Sequence, residues 1–141
     1  MTYIPDAMRQ FVIARAKGRC EYCLIPNQDL MVPHELDHIT AEKHRGVTEE
    51  HNLCLACVKC NRNKGSDLAS YDPLTGELAR LFDPRQQRWI EHFALKDARI
   101  EPLTPEGRVT EFLLKVNTPE RLRYRKLLIR LGEFPPPEAT G

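Results

Sequence analysis

The sequence predicts an α+β domain organised around a cysteine-tied core over residues 18–70. Three observations carry that reading. Two Cys-x-x-Cys pairs, Cys20/Cys23 and Cys57/Cys60, are separated by 33 residues. Between them run two short stretches that read as extended, 35–39 with Leu36 and Ile39 available for packing and the apolar run 53–56. On either side of that segment, apolar residues recur at helical spacing, with Pro and Thr placed as helix starts.

Taken in order, residues 5–17 carry Met8, Phe11, Val12 and Ala16 on one helical face. Pro5 suits the first turn, Lys17 the last, and Gly18 the stop. A polar loop with Pro26, Asn27, Asp29 and Pro33 covers 24–33. Residues 35–39 read as extended, 40–51 as a charged loop turning at Gly46, and 53–56 as a second extended run. A short helix over 58–67 should break near Gly65. After the turn chemistry of 72–76, residues 78–82 and 88–93 read as a β-hairpin around Asp-Pro-Arg-Gln-Gln, with 98–101 as a third strand. Trp89 and Phe93 are expected in the core. Thr104-Pro105-Glu106 and Thr118-Pro119-Glu120 repeat one helix start, giving helices over 105–116 and 119–132. The second is expected to bury Tyr124, Leu127, Leu128 and Leu131 and to expose Arg121, Arg123, Arg125, Lys126 and Arg130. The tail over 135–141 is expected to be loose.

At 141 residues the chain fits one domain, 1–141: the core 18–70, an extension 71–134 and the tail. A net charge of +1 with 29% charged residues excludes an acidic disordered tail and a histone-like protein. Any attraction to nucleic acid must then be local. No apolar run approaches the ~18 residues of a membrane span. The start lacks the charged and apolar regions of a secretory signal. The expectation is a cytoplasmic protein with no membrane partner, in which Cys-x-x-Cys pairs hold metal more often than disulfides. Cys54, the fifth cysteine, reads as a small buried hydrophobe.

Four thiolates in two such pairs favour one tetrahedral, structural zinc ion. A redox reading would need a βαβ frame that the sequence lacks. Asp37-His38 offers a hard oxygen ligand beside a base that titrates near neutral pH. Neighbours on a strand point to opposite faces, so the pair shares a site only where the strand curves. Glu35, one alternation away, can share the face of Asp37. His34 and His51 read as surface residues, and His44 lies in the loop within reach of a substrate.

The ordered set C20-x-x-C23, E35-L-D37-H38-I, N52-L and C57-x-x-C60-N61-x-x-K64 resembles the HNH endonuclease family, most strongly over 20–66. The resemblance implies a zinc-tied ββα-metal core of treble-clef-like form, here with an N-terminal helix and a C-terminal β-hairpin plus two helices. It implies that His38 is the general base and that Asp37 and Asn61 hold the catalytic metal. Asn52 would fix the loop that orients the His. Many members carry His where Asn61 stands, and an amide oxygen leans towards Mg²⁺ or Mn²⁺. Lys59, Arg62, Lys64 and His44 are the candidate contacts to the phosphate backbone of DNA. The expected activity is metal-dependent hydrolysis of DNA phosphodiester bonds. The alternative is a zinc-stabilised nucleic-acid-binding module that does not cut. The low net charge leaves room for a partner protein or a structured substrate.

Overall fold

A computed structural model describes residues 2–28 and 31–139. Asp29 of the expected polar loop and the last two residues of the expected tail lie outside that range. Helix α1 (Asp6–Arg15) opens the chain. Its Val12 is fully buried with Leu53 and Leu55, and Met8, Ile13 and Leu36 pack against them. Lys17 and Gly18 take positive φ, which ends the helix and leads the chain into the first Cys-x-x-Cys turn.

Strands β1 (Glu35–His38) and β2 (Leu53–Ala56) pair antiparallel, with Glu35 opposite Ala56 and His38 opposite Leu53. Helix α2 (Val58–Lys64) follows and stops at Gly65. All of β2 is buried, because both faces of this hairpin are covered. Leu53 and Leu55 join the α1 cluster, while Cys54 and Ala56 join the cluster that holds the four paired cysteines. The strand alternation therefore sends successive side chains of β1 to opposite sides. The expected strand–strand–helix core is present.

The expected hairpin between 78–82 and 88–93 is absent. Strand β3 (Ala69–Tyr71) instead pairs with β4 (Leu78–Arg80). After the one-turn helix α3 (Trp89–His92), β5 (Phe93–Lys96) pairs with β6 (Arg99–Pro102). The reason lies in two aspartates. Asp72 accepts from the Leu74 N–H and the Thr75 hydroxyl, each at 3.0 Å, so the turn at 72–76 closes a hairpin of its own. Asp83 accepts from the Arg85 N–H through its side chain (2.8 Å) and from the Gln87 N–H through its carbonyl (2.9 Å). Its turn winds into α3 rather than reversing a strand. Asp97, at φ 55°, forms the other hairpin turn, a conformation Asp tolerates better than most residues.

Helices α4 (Pro105–Leu114) and α5 (Pro119–Arg130) start as expected, with the Thr104 and Thr118 hydroxyls accepting from the N–H groups of Gly107 and Arg121. The buried face of α5 is a correction. Arg121, Arg125 and Leu128 are buried, whereas Tyr124, Leu127 and Leu131 are 38, 49 and 62% exposed. The arginines turn inward because carbonyls and sulfurs there need donors. Arg125 Nε donates to Ala98 O (2.6 Å) and its Nη2 to Val116 O (2.7 Å). The tail also differs from expectation over 135–139. Pro136 is buried, Pro137–Ala139 forms a short 3₁₀ turn, and Glu138 pairs with Lys17. Trp89 packs on Phe93 at 5.1 Å between ring centroids and donates its indole N–H to Tyr22 O (2.9 Å). Among the described residues, no helix is long and apolar enough to cross a membrane.

Candidate functional site

The first Cys-x-x-Cys turn follows α1 and the second opens α2. In each, the second cysteine's N–H donates to the first cysteine's sulfur at 3.4 Å, Cys23 to Cys20 and Cys60 to Cys57. All four cysteines are buried, and their Sγ atoms lie within 4.8 Å of one another. Cys23 and Cys57 are 3.7 Å apart at sulfur. A tetrahedral zinc with ~2.3 Å bonds to sulfur sets its sulfurs about 3.8 Å apart, whereas a disulfide brings them to ~2.05 Å. The four residues therefore fit a zinc ion, and a closed site of this kind is structural. Among the described residues they are the one group of three or more His, Cys, Asp or Glu placed to share a metal. Burial pushes the Cys20 and Cys60 thiols up, and a bound divalent cation reverses that by stabilising thiolates.

Arg121 completes this cluster from α5. Its Nη2 donates to Cys60 Sγ at 2.9 Å and to Cys57 Sγ at 3.5 Å. Burial pulls the guanidinium down, but the sulfurs of Cys60, Cys23 and Cys57 outweigh that and raise it above its ordinary value.

The α2-facing side of β1 carries Glu35 and Asp37, two residues apart. Opposite them, α2 presents Asn61 and Lys64, three apart. The result is a two-rung ladder. Asn61 Nδ2 donates to Glu35 Oε1 at 2.9 Å, and Lys64 Nζ lies 3.2 Å from Asp37 Oδ2 and 3.4 Å from Oδ1. Lys64 also donates to His38 O (3.2 Å), and the Tyr22 hydroxyl donates to Asp37 Oδ2 (3.0 Å). Asp37 is 5% exposed and Lys64 2%. Burial pushes the Asp37 carboxyl above its usual value, and Lys64 and Tyr22 pull it part of the way back.

One expectation changes here. Lys64 was expected to reach DNA phosphates, but its ammonium is buried as the counter-ion of Asp37. Cys54 is the small buried residue expected, in the core, and its thiol lies 3.5 Å from the Tyr22 hydroxyl and 3.7 Å from Asp37 Oδ2. The ladder contains two hard oxygen donors of the kind a divalent ion takes, Glu35 and Asp37, but Lys64 already pairs with Asp37 and the Asn61 amide nitrogen donates to Glu35. Asp37 can contribute to such an ion to the extent that Lys64 gives way.

His38 lies on the opposite side of β1, the side of Leu53. Its Nε2 is 2.9 Å from Thr48 Oγ1 and 3.8 Å from Glu42 Oε1. Asn52 is buried and closes the intervening loop. Its Oδ1 accepts from the Thr40 N–H (2.9 Å), and its Nδ2 donates to Thr40 O (2.9 Å) and Val47 O (2.8 Å). The same loop explains Gly46, where any Cβ would overlap the Thr40 carbonyl. Of the remaining candidates, His44 and Arg62 are exposed, and Lys59 is paired with Glu120. His34, expected at the surface, is half-buried with Nε2 3.0 Å from Ile25 O.

Sequence reasoning passed over Tyr22, Glu42, Thr48 and Arg121. Tyr22 had a signal, since an aromatic residue between two buried ligands must itself point inward. Thr48 and Glu42 had none beyond their place in the loop, and Arg121 was one of many arginines.

A knuckle, a hairpin and a helix that gather four cysteines, with Asp-His on the first strand and Asn on the helix, define a zinc-type ββα module. The family model of the HNH endonucleases matches residues 20–67, the same stretch that carries the resemblance seen in the sequence and less than half of the chain. Comparison with curated proteins and with solved structures gave no match.

Proposed function

We propose that this protein is a metal-dependent endonuclease acting on DNA. The observation that carries the proposal is the ladder of Glu35 and Asp37 against Asn61 and Lys64, inside the segment matched by the HNH endonuclease family. Asp37 and Asn61 are the residues that would hold a Mg²⁺ or Mn²⁺ ion, with Glu35 adjoining. Bound there, such an ion supplies positive charge to the scissile phosphate and the leaving 3′ oxygen. By the resemblance to the family, His38 would take the proton from the attacking water, acting from the side of β1 opposite to the ladder. Two contacts support that role: Thr48 fixes the ring at Nε2, and Glu42 lies where it stabilises the imidazolium that forms. Asn52 holds the loop that carries both partners. Arg62 and His44 are exposed and available to the phosphate backbone.

One observation favours a second reading, a zinc-stabilised module that binds nucleic acid without cutting. The Asp37 carboxylate is already engaged by Lys64 and Tyr22. A nicking assay on supercoiled plasmid separates the two readings. Cleavage that needs Mg²⁺ or Mn²⁺ and is lost in His38→Ala supports the nuclease. Retained DNA binding without cleavage in either metal supports the second reading.

A further inference from the structure

We propose that Arg121 is a working part of the zinc centre, hydrogen-bonding the thiolates and so coupling the C-terminal extension to the metal. The proposal rests on the reading that the four cysteines hold zinc. It places a metal-site residue outside the 20–67 segment that the family model covers.

The geometry is specific. Arg121 is 6% exposed. Its Nη1 donates to Leu114 O (2.9 Å) and Lys115 O (3.4 Å), carbonyls left without helical partners where α4 ends. That clamp holds the guanidinium plane so that Nη2 meets Cys60 Sγ at 2.9 Å and Cys57 Sγ at 3.5 Å. These two sulfurs come from the second Cys-x-x-Cys turn, the one that starts α2.

Charge explains why a buried arginine sits there. A zinc ion with four thiolates carries a net charge of about −2. A buried charge is tolerated only when it is paired. Arg121 supplies one compensating charge directly. Arg125, one turn further along the buried face of α5, brings a second guanidinium, fixed by Ala98 O, Val116 O and Asn117 Oδ1. Hydrogen bonds to a coordinating sulfur draw electron density from it and lower its basicity. Arg121 then does two things. It hydrogen-bonds the sulfurs of the second Cys-x-x-Cys turn, and it docks α5 on the metal. Zinc loading and docking of the extension become one equilibrium.

The test uses the full chain and compares Arg121→Met, which keeps volume but no donors, with Arg121→Lys, which keeps the charge. Arg123→Met, on the exposed face of the same helix, is the control. Two readouts are taken: the rate at which a chelator removes zinc from the folded protein, and the thiolate-to-metal charge-transfer band of the Co²⁺-substituted protein. Arg121→Met should lose zinc about 10–100-fold faster and shift the band to lower energy, with Arg121→Lys between it and wild type and Arg123→Met unchanged. An unshifted band in Arg121→Met, whatever its thermal stability, would mean that Arg121 only packs the helix, and would overturn the proposal. Should Arg121→Met fail to fold, the Arg121→Lys band decides in the same way. Wild-type protein without zinc would refute the zinc reading itself, an outcome distinct from an unshifted band in a protein that does bind metal.

Discussion

Replacing Lys64 by Met tests the ladder most sharply. The change keeps the length of the side chain and removes the ammonium that lies 3.2 Å from Asp37 Oδ2 and 3.2 Å from His38 O. Breaking a buried pair from one side costs about 3–5 kcal/mol, because the other charge is left unpaired in the interior. The orphaned His38 carbonyl adds about 1 kcal/mol. Against a total stability of about 5–15 kcal/mol for a domain of this kind, that is a large fraction. The loss should depend on pH. The carboxyl of Asp37 is already raised above its usual 3.8 by burial, and without Lys64 it rises further. A carboxyl raised in the folded state binds its proton more tightly there than in the unfolded chain. Stability therefore falls as pH rises from the usual value through the folded one, by about 1.4 kcal/mol per unit. Urea unfolding of the zinc-loaded protein should show Lys64→Met losing less at pH 5 than at pH 8. The double variant Asp37→Asn/Lys64→Met should recover most of the loss. If Asp37 holds a divalent ion, Mn²⁺ should restore more stability to Lys64→Met than it adds to wild type. A loss below about 1 kcal/mol, equal at both pH values, is the signature of a solvated surface pair and would refute the buried ladder.

Three other predictions follow from the same structure. Purified protein should contain about one zinc per chain, and Cys57→Ser should shed the metal or unfold. Metal-free protein of undiminished stability would contradict the zinc frame. Asn52→Ala removes three hydrogen bonds and should cost about 2–4 kcal/mol, while leaving zinc content unchanged, and hydrogen exchange should show the 40–52 loop opening first. Uniform exchange across the hairpin would contradict that assignment. Asp72 is held well below its usual 3.8, chiefly by the two hydrogen bonds from Arg108. Its contribution is present above 3.8 and is lost as pH falls towards the lower folded value. Arg108→Gln should therefore lower stability at neutral pH and flatten the acid limb of the stability curve, and an unchanged acid limb would contradict the pairing.

What was legible in the sequence was written in local chemistry. The Cys-x-x-Cys spacing, the Thr-Pro-Glu helix starts and the extended runs at 35–39 and 53–56 each act within a few residues, and each produced the element expected of it. The hairpins of the extension differ from the expectation because two turn signals stand on either side of 78–82, and the apolar pattern does not say which reverses a strand: Asp72 closes its own hairpin turn through Leu74 and Thr75, while Asp83 winds into α3. The face of α5 differs in part: Leu128 is buried and Arg123, Lys126 and Arg130 are exposed as expected, but Arg121 and Arg125 turn inward and Tyr124, Leu127 and Leu131 do not. Leucines normally mark the inner face of an amphipathic helix, but here the interior offers carbonyls and sulfurs, and arginines answer them. At the candidate site, strand alternation does foretell that Asp37 and His38 diverge. That Asp37 would meet Lys64 was beyond reach, because the partnership spans 27 residues and depends on the packing of α2 across β1.

Metal-dependent strand cleavage is the central claim, and nicking of supercoiled plasmid measures it most directly. Zinc-loaded protein should convert supercoiled plasmid to the open circular form in Mg²⁺ or Mn²⁺, with no conversion in EDTA at a concentration that leaves the structural zinc in place. His38→Ala should abolish conversion while keeping wild-type zinc content and stability. Cleavage that survives the His38 change, or that proceeds equally well without a divalent ion, would contradict the account.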